Sequence, residues 1–218
     1  YIVYLAPCID DKNLTSVFMR MTSSNAKPNF KPFYACEFIR DNHLEGNMFN
    51  YWTEGGFIAW GQNPDPQTGR IPLQLFMDGR AQAAYDREAF DTWSNIMAGG
   101  PIEYFAVKRG TKRTVEHYKK VGDWLTKTLR KHGVWVVLMP SSQFDKTFVK
   151  SLEVSQDWTL IFFNDDQKLF VDSGNKRSSE LFKGILTGQT KYPDDFSKKL
   201  MTAYLLLHTR HSINTGLQ

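Results

Sequence analysis

Cysteine is scarce in this sequence: Cys8 and Cys36 stand alone among 218 residues. A single pair defines no disulfide framework, and the redox compartment stays open on this ground. No Cys-x2-Cys or His-x3-His spacing occurs, and His208 and His211 lack a third ligand near them in sequence, so no metal site is expected. Long apolar runs are also missing. Residues 134–139 and 205–207 fall far short of the about 20 apolar residues that a spanning helix needs. With no Gly-x-Gly-x-x-Gly and no P-loop motif, no nucleotide cofactor is expected. A large excess of either charge is missing as well, since 27 Lys and Arg against 23 Asp and Glu leave a formal net charge of only +4. The densest basic cluster, Lys108, Arg109, Lys112 and Arg113 around Gly110, reads as the solvated face of an exposed loop, and nucleic acid is not an expected partner. There is no internal repeat and no low-complexity tract.

What is present is the balance of a globular protein, 41% hydrophobic and 23% charged, on a chain long enough to bury a substantial core. Residue 1 is Tyr rather than Met, and residues 1–7 lack the basic region and apolar run of a secretory signal, so the sequence is expected to belong to something longer. The triplet Asn13-Leu14-Thr15 fits the glycosylation sequon, a pattern too common by chance to carry weight.

Residues 1–33 mix a short apolar run with Thr, Ser, Asn, Pro28 and Pro32, and read as a linker or extension. A domain is expected over 34–174. Phe33, Ala35, Cys36, Phe38, Ile39 and Leu44 recur at helical intervals, with a stop at Gly46. Residues 47–51 read as a strand, Gly55-Gly56 as a tight turn, and Phe57, Ile58 and Trp60 as a short helix. Residues 64–72 form a loop and 73–77 a second strand. A helical rhythm over 81–97 closes at Gly99-Gly100-Pro101, and another opens at Thr114 and ends at His132-Gly133. Residues 134–139 are apolar throughout, as in a central strand covered on both faces. Ser142 is expected to cap the next helix, and residues 158–163 and 168–171 bracket a hairpin. Two further helices, over 178–186 and 194–211, make a helical extension over 175–218. Strands alternating with helices give an α/β three-layer sandwich of about five strands, three of them parallel and central, closed by an antiparallel C-terminal hairpin.

In open α/β sheets, ligands gather beyond the carboxyl ends of the parallel strands, where helix N-termini bring unsatisfied N–H groups. Three loops meet that condition: Tyr51-Trp52-Thr53-Glu54-Gly55-Gly56, Asp78-Gly79-Arg80, and Pro140-Ser141-Ser142. The candidate rim is therefore Tyr51, Trp52, Glu54, Gly55, Gly56, Asp78, Arg80 and Ser141. The double glycine allows close backbone approach, and Asp78 with Arg80 would bind a polar group or brace the Glu54 loop. Glu54 and Asp78 are two carboxylates that different environments would set apart in protonation. No spacing makes them a catalytic pair, and no histidine is placed beside them: His43, His117, His132, His208 and His211 fall in helices or at helix ends, as surface or capping residues. No catalytic residue is assigned. The six tryptophans suit core packing, with Trp52 the one placed to offer an aromatic face to a sugar or peptide.

The segments Gly46-Asn47-Met48-Phe49-Asn50-Tyr51, Gly55-Gly56-Phe57-Ile58-Ala59-Trp60 and Leu75-Phe76-Met77-Asp78-Gly79-Arg80 carry a family likeness. With the helix-to-strand step over 129–139 and the 158–171 hairpin, they resemble the extracytoplasmic C-terminal soluble domain of bacterial multi-spanning membrane proteins related to the oligosaccharyltransferase and dolichyl-phosphate-mannose mannosyltransferase group. The likeness covers residues 35–172. In that superfamily a Trp-Trp-Asp-Tyr-Gly motif of the soluble domain helps recognise acceptor peptide; the corresponding stretch here is Tyr51-Trp52-Thr53-Glu54-Gly55, which shares one tryptophan and the glycine. The resemblance implies a periplasmic, non-catalytic domain that shapes or recognises an acceptor glycan or peptide. It further implies catalytic carboxylates and a lipid-linked donor in a transmembrane portion of the parent protein. Two other readings stand beside it: a small hydrolase or transferase using Glu54, Asp78 and Arg80, and an interaction module that binds a protein partner through the C-terminal helices.

Overall fold

A computed structural model of the chain describes residues 32–80 and 84–215, with side chains through residue 207. Cys8, Asn13 and the first 31 residues of the linker expected over 1–33 lie outside the described residues, and so does the link 81–83.

Helix α1 (Phe33–Asp41) starts behind Pro32 and buries Ala35, Cys36, Phe38 and Ile39 on one stripe. Strand β1 (Gly46–Asn50) follows, then a 3-10 turn (Trp52–Glu54) and helix α2 (Gly55–Gly61). Strand β2 (Leu73–Leu75) precedes α3 (Arg87–Met97), whose first turn is capped by Asp86 Oδ1 accepting from the Ala89 N–H at 2.7 Å. After α4 (Gly100–Lys108), Thr114 caps α5 (Val115–Lys131) through His117 N–H at 3.2 Å. Strand β3 (Val134–Pro140), a 3-10 turn (Ser141–Gln143), α6 (Thr147–Val154), β4 (Trp158–Phe163), β5 (Gln167–Asp172), α7 (Lys176–Leu186) and α8 (Asp195–Thr215) complete the order.

The five strands form one sheet in the order β2-β1-β3-β5-β4. β1 pairs in parallel with β2 and with β3, whereas β5 is antiparallel to both β3 and β4. This is the α/β three-layer sandwich read from the sequence, with three parallel strands and a closing antiparallel hairpin. β3 shows why it needs two covers, since all seven of its residues are buried. Val136 and Leu138 face a core built with α1, α2, α7 and α8, while Val137 and Met139 face Trp93, Leu125, Leu129 and Phe148 of α3, α5 and α6.

Two local expectations are corrected. Gly99-Gly100-Pro101 does end α3, but it also begins α4 at once: both glycines take positive φ, and Pro101 sits in the first helical turn, where its missing N–H costs nothing. Ser142 does not cap α6; it lies in a 3-10 turn, and the helix starts five residues later behind Lys146. His43 is, as expected, an exposed residue at a helix end, in the turn after α1 with φ 53°. Of the helical extension expected over 175–218, the described residues 175–215 form one compact unit with the sheet. Ile185 and Leu205 enter the core, with Leu181, Phe182 and Tyr192 packed against it.

Candidate functional site

The parallel order β2-β1-β3 brings the loops after the three strands to one edge, and buried polar side chains lock them there. Asn50, the last residue of β1, is fully buried. Its Nδ2 donates to the Met77 carbonyl at 2.7 Å and its Oδ1 accepts from Phe76 N–H at 3.1 Å, so the end of β1 holds the segment that follows β2. The Asn50 carbonyl in turn accepts from Trp93 Nε1 at 3.1 Å. Tyr51 and Trp52, both half-buried, meet Trp93 with ring centroids 6.0 and 6.3 Å away. An aromatic step thus stands at the head of β1.

Glu54 is 7% exposed, and its Oε1 accepts from Gln167 Nε2 at 3.0 Å. Gln167 opens β5 directly opposite Pro140, the last residue of β3, so this bond joins the β1 loop to the far side of the rim. Gly55 lies against the β2 loop: a Cβ there would come within 2.5 Å of Asp78 Cα and 2.9 Å of the Met77 carbonyl oxygen. No larger residue fits without moving backbone. Asp78 is chelated by Arg80, whose Nε reaches Oδ1 at 3.0 Å and whose terminal nitrogen reaches Oδ2 at 2.6 Å. The Arg80 hydrogen bonds hold the Asp78 carboxyl below the usual carboxylate range, burial opposing them, and Asp78 raises the Arg80 pKa in return. The Asp78 side chain is 17% exposed, but Arg80 is 70% exposed and presents its guanidinium to solvent. Ser141 is exposed and anchored by its N–H to the Asp166 carbonyl at 2.7 Å, and Gly56 is exposed with nothing within 4 Å of a Cβ position.

The loops of all eight expected rim residues therefore converge, through Asn50 at one end and Gln167 at the other. Arg80 engages Asp78, with the Tyr85 hydroxyl beside the pair, and the backbone of Asp78 packs directly on Gly55. Sequence reasoning missed Asn50, Trp93 and Gln167. Trp93 had a signal as part of a helical stripe, but partners 43 and 113 residues apart have no local spacing to reveal them.

As chemistry, the rim offers charge and aromatic surface rather than a base. Asp78 is neutralised by its arginine, and Glu54 is withdrawn from solvent. Behind Glu54 the Cys36 thiol is pushed up to about 12, by burial first and then by the Glu54 charge, so it stays protonated and unreactive. Asp166, beside Ser141, is shifted upward by burial and then by Asp165. Two open grooves lie elsewhere: one of about 600 Å³ between α3 and α5, lined by Glu88, Asp91, Asn95 and Thr128, and one of about 510 Å³ at the opposite strand ends, lined by His43, Glu45, Trp135 and Arg177. A second charged cluster is closed on itself. Glu103, 8% exposed, accepts from Arg113 at 2.8 and 3.0 Å and lies 2.6 Å from His117 Nε2, so His117 is a partner of a buried acid rather than a capping or surface residue. Among the described residues no group of three or more His, Cys, Asp or Glu side chains is arranged to hold a metal ion, and no helix is long and apolar enough to cross a membrane.

Comparison of the chain with protein-family models, with curated proteins and with solved structures finds no match.

Proposed function

We propose that this domain is a non-catalytic recognition module that binds an acceptor, a glycan or a peptide, across the carboxyl rim of its parallel strands. It would serve as the soluble, extracytoplasmic part of a membrane glycosyltransferase-like protein, whose transmembrane portion carries the chemistry. The attachment to such a protein rests on the resemblance over residues 35–172, carried by 46–51, 55–60 and 75–80. The binding role rests on one observation: both rim carboxylates are paired within the protein, while the solvent-facing part of Arg80, 70% exposed, and the half-buried faces of Tyr51 and Trp52 stand open to a ligand. A planar cation and aromatic faces carried on loops of one rim suit the hydroxyls, carbonyls or carboxylates of a polar acceptor.

The test is a tryptophan-fluorescence titration of the chain with a panel of soluble oligosaccharides and short peptides. The expected result is saturable quenching by at least one of them, weakened about tenfold or more by Trp52→Ala and by Arg80→Ala while both variants keep the native circular dichroism. Absence of binding across the panel, or glycosyl transfer by the isolated chain above buffer background, would falsify the reading.

A further inference from the structure

We infer that the corner formed by α4 and the loop after it is a docking surface for an anionic lipid bilayer. Helix α4 buries Gly100, Glu103 and Ala106 and packs Ile102 against the core. Its other side leaves large apolar groups in water: Tyr104 is 60%, Phe105 48% and Val107 62% exposed, and Val115 at the start of α5 is 61% exposed. Exposed apolar groups of this size, consecutive on one short helix, are a surface in want of a partner.

Charge decides which partner. Residues 104–115 contain Lys108, Arg109, Lys112 and Arg113 and neither Asp nor Glu. Arg113 is consumed by Glu103. Among the described residues Lys108, Arg109 and Lys112 form no ion pair, and the Arg109 guanidinium lies over the Phe105 ring at 5.6 Å. Lys119 and Lys120, both exposed, add positive charge at the start of α5, against the exposed acids Glu116 and Asp123. Unpaired cations around exposed rings and aliphatic groups match the layered chemistry of a bilayer surface, where phosphates meet the cations and the headgroup–acyl boundary takes up the apolar groups. Val107 and Val115 separate this from nucleic acid: aliphatic side chains gain from that boundary and have nothing to stack on a base. The surface lies on α4 and α5 and owes nothing to the acceptor reading.

The experiment is co-sedimentation of the chain with vesicles of phosphatidylcholine alone and of phosphatidylcholine mixed with phosphatidylglycerol. Binding is expected to the mixed vesicles and to fall with added salt. Each cation near an anionic leaflet strengthens binding about fivefold, so Lys108→Gln/Arg109→Gln/Lys112→Gln should weaken it about a hundredfold. Tyr104→Gln/Phe105→Gln should weaken it about tenfold or more, because the apolar anchor is lost. All five positions are exposed, so thermal unfolding should not move; where it does, the single changes Lys108→Gln, Lys112→Gln and Phe105→Gln read the same effect in smaller steps. No binding to the mixed vesicles overturns the inference, and so does retention of binding by either multiple variant. Retention by the Tyr104/Phe105 variant together with tight binding of single-stranded oligo(dT) would identify a nucleic-acid surface instead.

Discussion

At Glu103, burial and charge pull in opposite directions. Desolvation pushes its carboxyl up, but the hydrogen bonds from Arg113, then His117, outweigh it and hold the group below its ordinary value of 4.5. A carboxyl that titrates lower in the folded chain than in the unfolded one contributes stability that is complete above the unfolded value and is lost as pH falls through the folded one. Thermal unfolding followed from neutral pH downwards should therefore show a loss that begins near pH 4.5. Glu103→Gln should remove that part of the pH dependence and cost about 2 kcal/mol at neutral pH, since charged hydrogen bonds are replaced by weaker ones. A mutant whose acid transition matches wild type would rule out this role. Local spacing could place Glu54 and Asp78 on a rim, because each follows directly on a strand with a recognisable pattern. It could not show that Glu54 is buried against Gln167 or that His117 meets Glu103, because those partners come from elements whose approach only the finished fold defines.

Among the elements, the strands and long helices were legible for a plain physical reason: β3 is apolar at every position, and α5 repeats its apolar residues on one face from Val121 to Leu129. Helix α4 was not, since its opening Gly-Gly-Pro is also the usual ending of a helix, and only the backbone angles separate the two uses. Those angles carry a prediction. Gly100 has φ +68°, and a Cβ there would come within 2.6 Å of the Trp124 ring, whereas Gly110, past the other end of α4, has φ +63° with open space around it. Gly110→Ala should cost about 1 kcal/mol of backbone strain alone. Gly100→Ala should cost about 3 kcal/mol, adding the displacement of a half-buried indole. Urea unfolding of the two variants measures the difference, and equal losses would show that Trp124 gives way freely.

For the molecule as a whole, α7 and α8 are part of the roof over one face of the sheet. Ile185 and Leu205 are buried there, Leu181 and Phe182 lean on the same core, and the Tyr192 hydroxyl donates to the Ile161 carbonyl at 2.8 Å. Each large apolar side chain is worth about 2 kcal/mol buried, against a total stability of about 5–15 kcal/mol for a domain, so this roof cannot be spared. A chain ending at Gly174 should lose cooperative unfolding by circular dichroism and aggregate. A sharp melt within about 5 °C of the intact chain would refute the claim. Removing these helices therefore tests folding before it tests any partner they bind.

One small clip sets a boundary on how anything can join this sheet. β2 lies at its edge, and the buried amide of Gln62 engages the Leu73 backbone on both sides of the residue, donating to the carbonyl at 3.1 Å and accepting from the N–H at 2.9 Å. A side chain there does what a sixth strand would do. The border at Leu73 is thus sealed from within: an extended visitor finds no ladder to climb at that point, and two copies of the chain cannot zip together there.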